Sequence, residues 1–122
     1  RKESSAASDV YKRQVINHPS KEGMTLRHGS LEGPEHAVYI RGVLKTKDSS
    51  EGFIELPNYW LELVDEDTIT VQLTGKGRFQ RLYVVKIEDN KVYVENEKMH
   101  SINCYYFIQA ERKDVERMVV EY

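Results

Sequence analysis

The sequence predicts an all-β fold, an antiparallel β-sandwich or flattened barrel with one short helix. Three observations carry this: strict two-residue alternation over Thr68–Thr74, a tight-turn pair at Asp89-Asn90 between two apolar-rich runs, and short strand signals at regular spacing. The first clear strand is Ala37–Val43, with Val38 and Ile40 on one face and Tyr39, Arg41 and Val43 on the other. Gly33-Pro34 sets its direction, because glycine admits positive φ and proline fixes φ near about −65° without donating a hydrogen bond. Thr46–Gly52 reads as a polar hairpin loop. Pro57 suits a first helical turn, and Trp60, Leu61, Leu63 and Val64 recur at helical spacing until Asp65-Glu66-Asp67, which gives a short helix plugging the open end of the sheets. Trp60, the largest apolar side chain, is assigned to the core.

In Thr68–Thr74, Ile69, Val71 and Leu73 face one way and the threonines and Gln72 the other, the pattern of a sheet with one wet face. Gly75-Lys76-Gly77 makes the next connection flexible. Leu82–Glu88 and Lys91–Asn96 form a hairpin around Asp89-Asn90, since both side chains tolerate left-handed backbone. Asn103–Ala110 is apolar on both faces, with Cys104, Tyr106 and Ile108 opposite Tyr105 and Phe107, so it belongs at the centre of a sheet or at a subunit contact. A last strand is expected over Met118–Tyr122.

Composition narrows the function. Setting aside four basic and two acidic residues among the first 14, from totals of 18 and 20, leaves 14 against 18 and a net charge of −4 for residues 15–122. That balance argues against nucleic acid, which rewards clustered Lys and Arg through counterion release. No apolar run approaches the roughly 20 residues that span a bilayer, so no membrane insertion is expected. Cys104 is the single cysteine; it cannot form an intrachain disulfide and reads as a small buried hydrophobe.

No constellation announces catalysis, a cofactor or a metal. His18, His28, His36 and His100 share no ligand spacing with one another or with Cys104. Glu32, Glu35 and His36 crowd one turn, but a proline-containing loop with outward carboxylates accounts for them. Asp65-Glu66-Asp67 lacks the spaced calcium loop and reads as a solvated helix end. Neither Ser30 nor Cys104 sits in a nucleophile motif, and Gly75-Lys76-Gly77 lacks the strand-to-helix context of a phosphate loop. Tyrosines at 39, 59, 83, 93, 105, 106 and 122 suit either sugar stacking or protein interfaces, with strand packing the simpler role. Tyr105 and Phe107 are candidate interface residues, as are Arg112 and Lys113, which are expected to form intersubunit ion pairs with Asp65–Asp67.

Several blocks together carry a resemblance. Leu31-Glu32-Gly33-Pro34-Glu35 precedes Val38-Tyr39-Ile40-Arg41-Gly42, with Val15-Ile16-Asn17-His18-Pro19 before it and Ile54-Glu55-Leu56-Pro57-Asn58-Tyr59-Trp60 after it. Ile87–Tyr93, Ile102–Tyr106, Glu111–Val115 and Val119–Tyr122 follow in order. In these blocks residues 15–122 resemble a module of tail-fibre and other virion structural proteins of marine tailed phages, cyanophages especially. Asn58 stands where that family's pattern has Asp, and Thr74-Gly75 where it has Thr-Pro, both at a turn or loop. The resemblance implies a non-enzymatic structural domain near an endosialidase-type chaperone region, located in the virion. Its implied partners are other copies of the chain in a homotrimer and other tail proteins. The alternative is a fibre-tip domain that recognises a host-surface glycan through loops around Gly33-Pro34 and Gly75–Arg81. An auto-processing peptidase would need an active serine or acid pair, which the sequence does not offer. Ser4–Gln14 reads back into a codon string used as a transposon sequencing adapter, so residues 1–14 are expected to be non-native and unstructured, with the natural N-terminus upstream of Val15.

Overall fold

The computed structural model describes residues 13–97 and 100–122, among which lie eight strands in three antiparallel sheets and no closed barrel. β1 (Arg13–Asn17) and β2 (Thr25–Gly29) form a two-stranded ribbon. β3 (Ala37–Lys45), β8 (Asn103–Glu111) and β5 (Thr70–Gly75) form one three-stranded sheet with β8 in the centre. β4 (Glu51–Glu55), β7 (Lys91–Glu95) and β6 (Tyr83–Glu88) form the other, with β7 in the centre. The fold is all-β, and the inner faces of the two larger sheets share one core.

Strand alternation decides which side chains enter that core. Val38 from β3, Cys104, Ile108 and Ala110 from β8, Ile54 from β4, and Val92 and Val94 from β7 are all buried. The tight hairpin at Asp89-Asn90 forms as expected: their φ values of 54° and 60° are the left-handed pair of a type I′ turn, whose twist matches the strands it joins. Asn90 also ties this turn to the segment before the helix, donating through Nδ2 to the carbonyls of Leu56 and Pro57 at 3.0 Å each. Between Val84 and Lys86 a bulge shifts the β6 register, which bends that edge strand.

The helix α1 (Trp60–Leu63) is a single turn, followed by a 3-10 turn at Glu66–Thr68. Trp60, Leu63 and Val64 are buried in the core, whereas Leu61 points to solvent. The acidic run after α1 has a local explanation: the Asp65 side chain accepts from Asp67 N–H at 3.1 Å, capping the 3-10 turn. Thr68, expected as the first residue of a strand, lies in that turn, where its hydroxyl accepts from Glu111 N–H. Asp65 N–H to Glu111 carbonyl and Lys113 N–H to Leu63 carbonyl, both 2.9 Å, fasten this end of the core to the end of β8.

Four further expectations need revising. Met118–Tyr122 is not a strand; a strand exists only with a ladder partner, and this segment pairs with none of the described residues. Thr46–Gly52 is not a hairpin loop, because β3 and β4 belong to different sheets and Glu51 and Gly52 are already in β4; Thr46–Ser50 is a crossing between sheets. The ribbon β1-β2 adds two strands ahead of Ala37, where the first clear strand was expected. Arg13 and Gln14 open β1, inside the segment expected to be unstructured, and the rest of that segment, residues 1–12, lies outside the described residues.

Candidate functional site

Two concavities lie on either side of one aromatic pair. Tyr39 on β3 and Phe107 on β8 are diagonal neighbours on the outer sheet face, since Tyr39 pairs with Gln109 and Arg41 with Phe107. Their rings stack with centroids 5.2 Å apart and 12° between planes. Tyr39 lines a cleft of about 690 Å³, and Phe107 lines a shallower groove of about 490 Å³.

The cleft is built from the loop chemistry around Gly33-Pro34. Residues 27–33, Glu35 and His36 line it together with the start of β3 and with Tyr59, Trp60, Arg112 and Met118. β2 places His28 toward the body, where its Nε2 lies 3.4 Å from the Tyr59 hydroxyl. Burial first, and the Arg112 charge second, hold the His28 imidazolium below its ordinary pKa, while burial raises that of Tyr59. Arg112 is itself buried and makes a two-pronged contact with Asp114, Nε to Oδ1 and Nη2 to Oδ2, each 2.8 Å. That contact is the first reason the Asp114 carboxyl sits below the usual aspartate range. At the junction with the sheet face, Gln109 Nε2 donates to Glu35 Oε1 at 3.0 Å.

The groove runs along the outer face of β3-β8-β5, lined by Arg41, Val43, Gln72, Thr74, Tyr105 and Phe107, with Gly42 and Tyr106 beneath. Val43 and Tyr105 are 52% and 47% exposed. Lys76, from the β5–β6 connection, places Nζ 5.2 Å from the Tyr105 ring centroid. That connection is strapped down: Gln80 donates to the Asn103 carbonyl at 2.7 Å and accepts from Asn103 N–H at 2.8 Å, and Arg78 reaches the Ser101 carbonyl and hydroxyl. Buried Asn96 holds the other side, accepting from Arg81 and Glu97 N–H and donating to the Ser101 carbonyl. These restraints correct the expectation of a flexible link, with Gly77 at φ 83° supplying only the bend.

The residues singled out in the sequence therefore divide. Leu31, Glu32, Gly33, Glu35, Val38, Tyr39 and Trp60 all line the cleft, and Arg41 and Gly42 line the groove. Pro34 is exposed beside the cleft, and the Pro57 carbonyl accepts the Trp60 N–H that starts α1. Trp60, 1% exposed, is a core residue. Of the two cations expected to form intersubunit ion pairs, Arg112 is buried against Asp114, whereas Lys113 is exposed, with Nζ donating to the Leu61 carbonyl at 2.9 Å. Asp65 instead faces Arg117 at 3.8 Å. His28 and Tyr59 were not anticipated as a pair, although the alternation of Leu26 and His28 along β2 carried the signal.

Cys104 is fully buried, and burial pushes its thiol pKa up, so it is a packing residue. Among the described residues no group of three or more His, Cys, Asp or Glu side chains is arranged to hold a metal ion, and no helix is long and apolar enough to cross a membrane. The site thus defines an all-β domain with a polar cleft and an aromatic sheet face. Comparison of the chain with protein-family models, with curated proteins and with solved structures finds no match.

Proposed function

We propose that this domain is a structural module of a phage tail fibre or related virion appendage, contributing to fibre assembly as a homotrimer. The observation that carries the reading is the segment after β8. Val115, Met118, Val119, Val120 and Tyr122 are all exposed, with Val119 at 71% and Val120 at 58%, so the chain leaves an apolar run uncovered. An apolar run of this kind contributes stability when a neighbouring chain excludes water from it. Sedimentation equilibrium of the full chain tests the proposal. A trimer that dissociates in the Val119→Asp, Val120→Asp variant is expected; a parent protein that stays monomeric at high concentration refutes it.

A second reading, recognition of a host-surface glycan at the fibre tip, is favoured by a different observation. The Tyr39–Phe107 stack and Tyr105 give the β3-β8-β5 sheet a row of rings beside hydrogen-bonding side chains. Rings of this kind stack on sugar faces while polar neighbours address the hydroxyls. Loss of glycan-array binding in Tyr105→Ala supports this reading, and binding unaffected by that change removes it.

A further inference from the structure

The two outer faces of the sandwich carry opposite charge. β4, β6 and β7 hold Glu51, Glu55, Glu88 and Glu95 against Lys86 and Lys91, four acids minus two bases for a net −2. β3 and β5 contain no carboxylate, and β8 contains only Glu111, at the end of the strand farthest from Tyr105. Of the 20 acidic residues in the chain, this sheet carries one. The same face presents Arg41, which has no ion-pair partner among the described residues, and Lys76 over the Tyr105 ring. Cations and rings share this face: Arg41 pairs across the strands with Phe107, beside Tyr39, and Lys76 lies over Tyr105.

We propose that this face binds an acidic oligosaccharide, a chain of pyranose rings bearing carboxylates. The proposal rests on the glycan-recognition reading and adds the ligand class. Sugar faces would lie on the Tyr39–Phe107 stack and on Tyr105, and ring carboxylates would meet Arg41 and Lys76, neither of which makes an ion pair among the described residues. A second copy of the chain is a poorer occupant. Strands of nine, nine and six residues, at roughly 3.4 Å per residue and about 4.8 Å apart, give a face of roughly 400 Å², against about 800 Å² per partner in a stable interface. Nucleic acid is also a poorer occupant, because its affinity grows with the number of phosphates neutralised and the chain as a whole is net negative, at −2.

The test is titration of the full chain with oligogalacturonate, with maltohexaose as the neutral control and a thymidine oligonucleotide as the polyanion control, followed by NMR. Oligogalacturonate is expected to shift Tyr39, Tyr105 and Phe107 resonances, to bind more weakly in added salt, and to lose about tenfold or more in affinity in Arg41→Gln. Arg41 is exposed, so the variant's unchanged spectrum away from the face serves as its folding control. Equal binding of maltohexaose overturns the acidic class while leaving glycan recognition standing. Binding of neither sugar overturns both. Tighter binding of the oligonucleotide, or shifts confined to the cleft around His28 and Glu32, also overturns the proposal.

Discussion

Substituting Gly42 tests the packing logic beneath the aromatic face. Gly42 pairs with Tyr106 across β3 and β8, on the core side of the sheet. A Cβ built on Gly42 would lie 2.6 Å from the Tyr106 hydroxyl oxygen, 2.8 Å from Cζ and 3.1 Å from Cε2, so the ring covers the glycine. The requirement is one of space, since Gly42 does not adopt positive φ. Two effects oppose each other in Gly42→Ala. Loss of glycine's unfolded-state freedom contributes roughly 0.5–1 kcal/mol in favour of folding. Displacing a ring held between strands costs roughly 1–3 kcal/mol, as overpacking does elsewhere. The crowding is the larger effect, so a net destabilisation of about 1–2 kcal/mol is expected. Urea unfolding followed by the fluorescence of Trp60, the one tryptophan, reads it directly. In a Tyr106→Leu background the clash is absent, and Gly42→Ala should then be neutral or slightly stabilising. A coupling energy below about 0.5 kcal/mol between the two changes would refute the reasoning.

Asn90→Gly keeps the left-handed backbone but loses the two bonds to Leu56 and Pro57, so it should cost about 1–2 kcal/mol; Asn90→Ala should cost about 1 kcal/mol more, by chemical denaturation. Trp60→Ala removes the largest fully buried side chain and should cost about 3–5 kcal/mol, lowering the melting temperature steeply. Asp114 has a depressed folded pKa, chiefly from the Arg112 hydrogen bond, so its stabilisation is present above the unfolded value near about 3.9 and is lost as pH falls through the folded value. The melting-temperature gap between parent and Asp114→Asn should therefore narrow below about pH 4. His28 also has a lowered folded pKa, from burial and then Arg112, so the unfolded chain takes its proton first and stability should fall as pH drops below about 6.5; His28→Gln should flatten that slope.

How far the fold could be read from sequence depended on whether a signal was local. The hairpin at Asp89-Asn90 was legible because both residues needed for a type I′ turn stand together between apolar runs. The centrality of β8 was legible because both its faces are apolar, which an edge strand facing water cannot sustain. The strand expected at Met118–Tyr122 failed because alternation and β propensity describe a strand's faces and say nothing of whether an edge is available. β4 was hidden because five residues containing Gly52 look like the end of a polar loop until Val92 and Val94 of β7 supply the partner. The cleft was half legible. Its loop wall is continuous in sequence, but Tyr59 and Arg112 reach it only through tertiary contacts of α1 and the end of β8.

The core and the outer aromatic face are not independent, because they are the two sides of the same pair of strands. Tyr106 lies between Tyr105 and Phe107 in sequence, so the ring that fills the space over Gly42 helps fix the β3-β8 spacing under those two outward rings. Pushing Tyr106 away would tilt the local pleat and change how Phe107 meets Tyr39, whose 12° stack requires a matched height across the strands. Tyr39 also lines the cleft, so the same displacement would reach the wall built on Gly33-Pro34. Gly42, on the buried side of β3, is therefore expected to influence the geometry of the exposed face. Gly42→Ala should accordingly alter aromatic resonances of Tyr39 and Phe107 even in conditions where the protein remains fully folded. Unchanged resonances there, alongside measurable destabilisation, would show that Tyr106 yields without moving the strands.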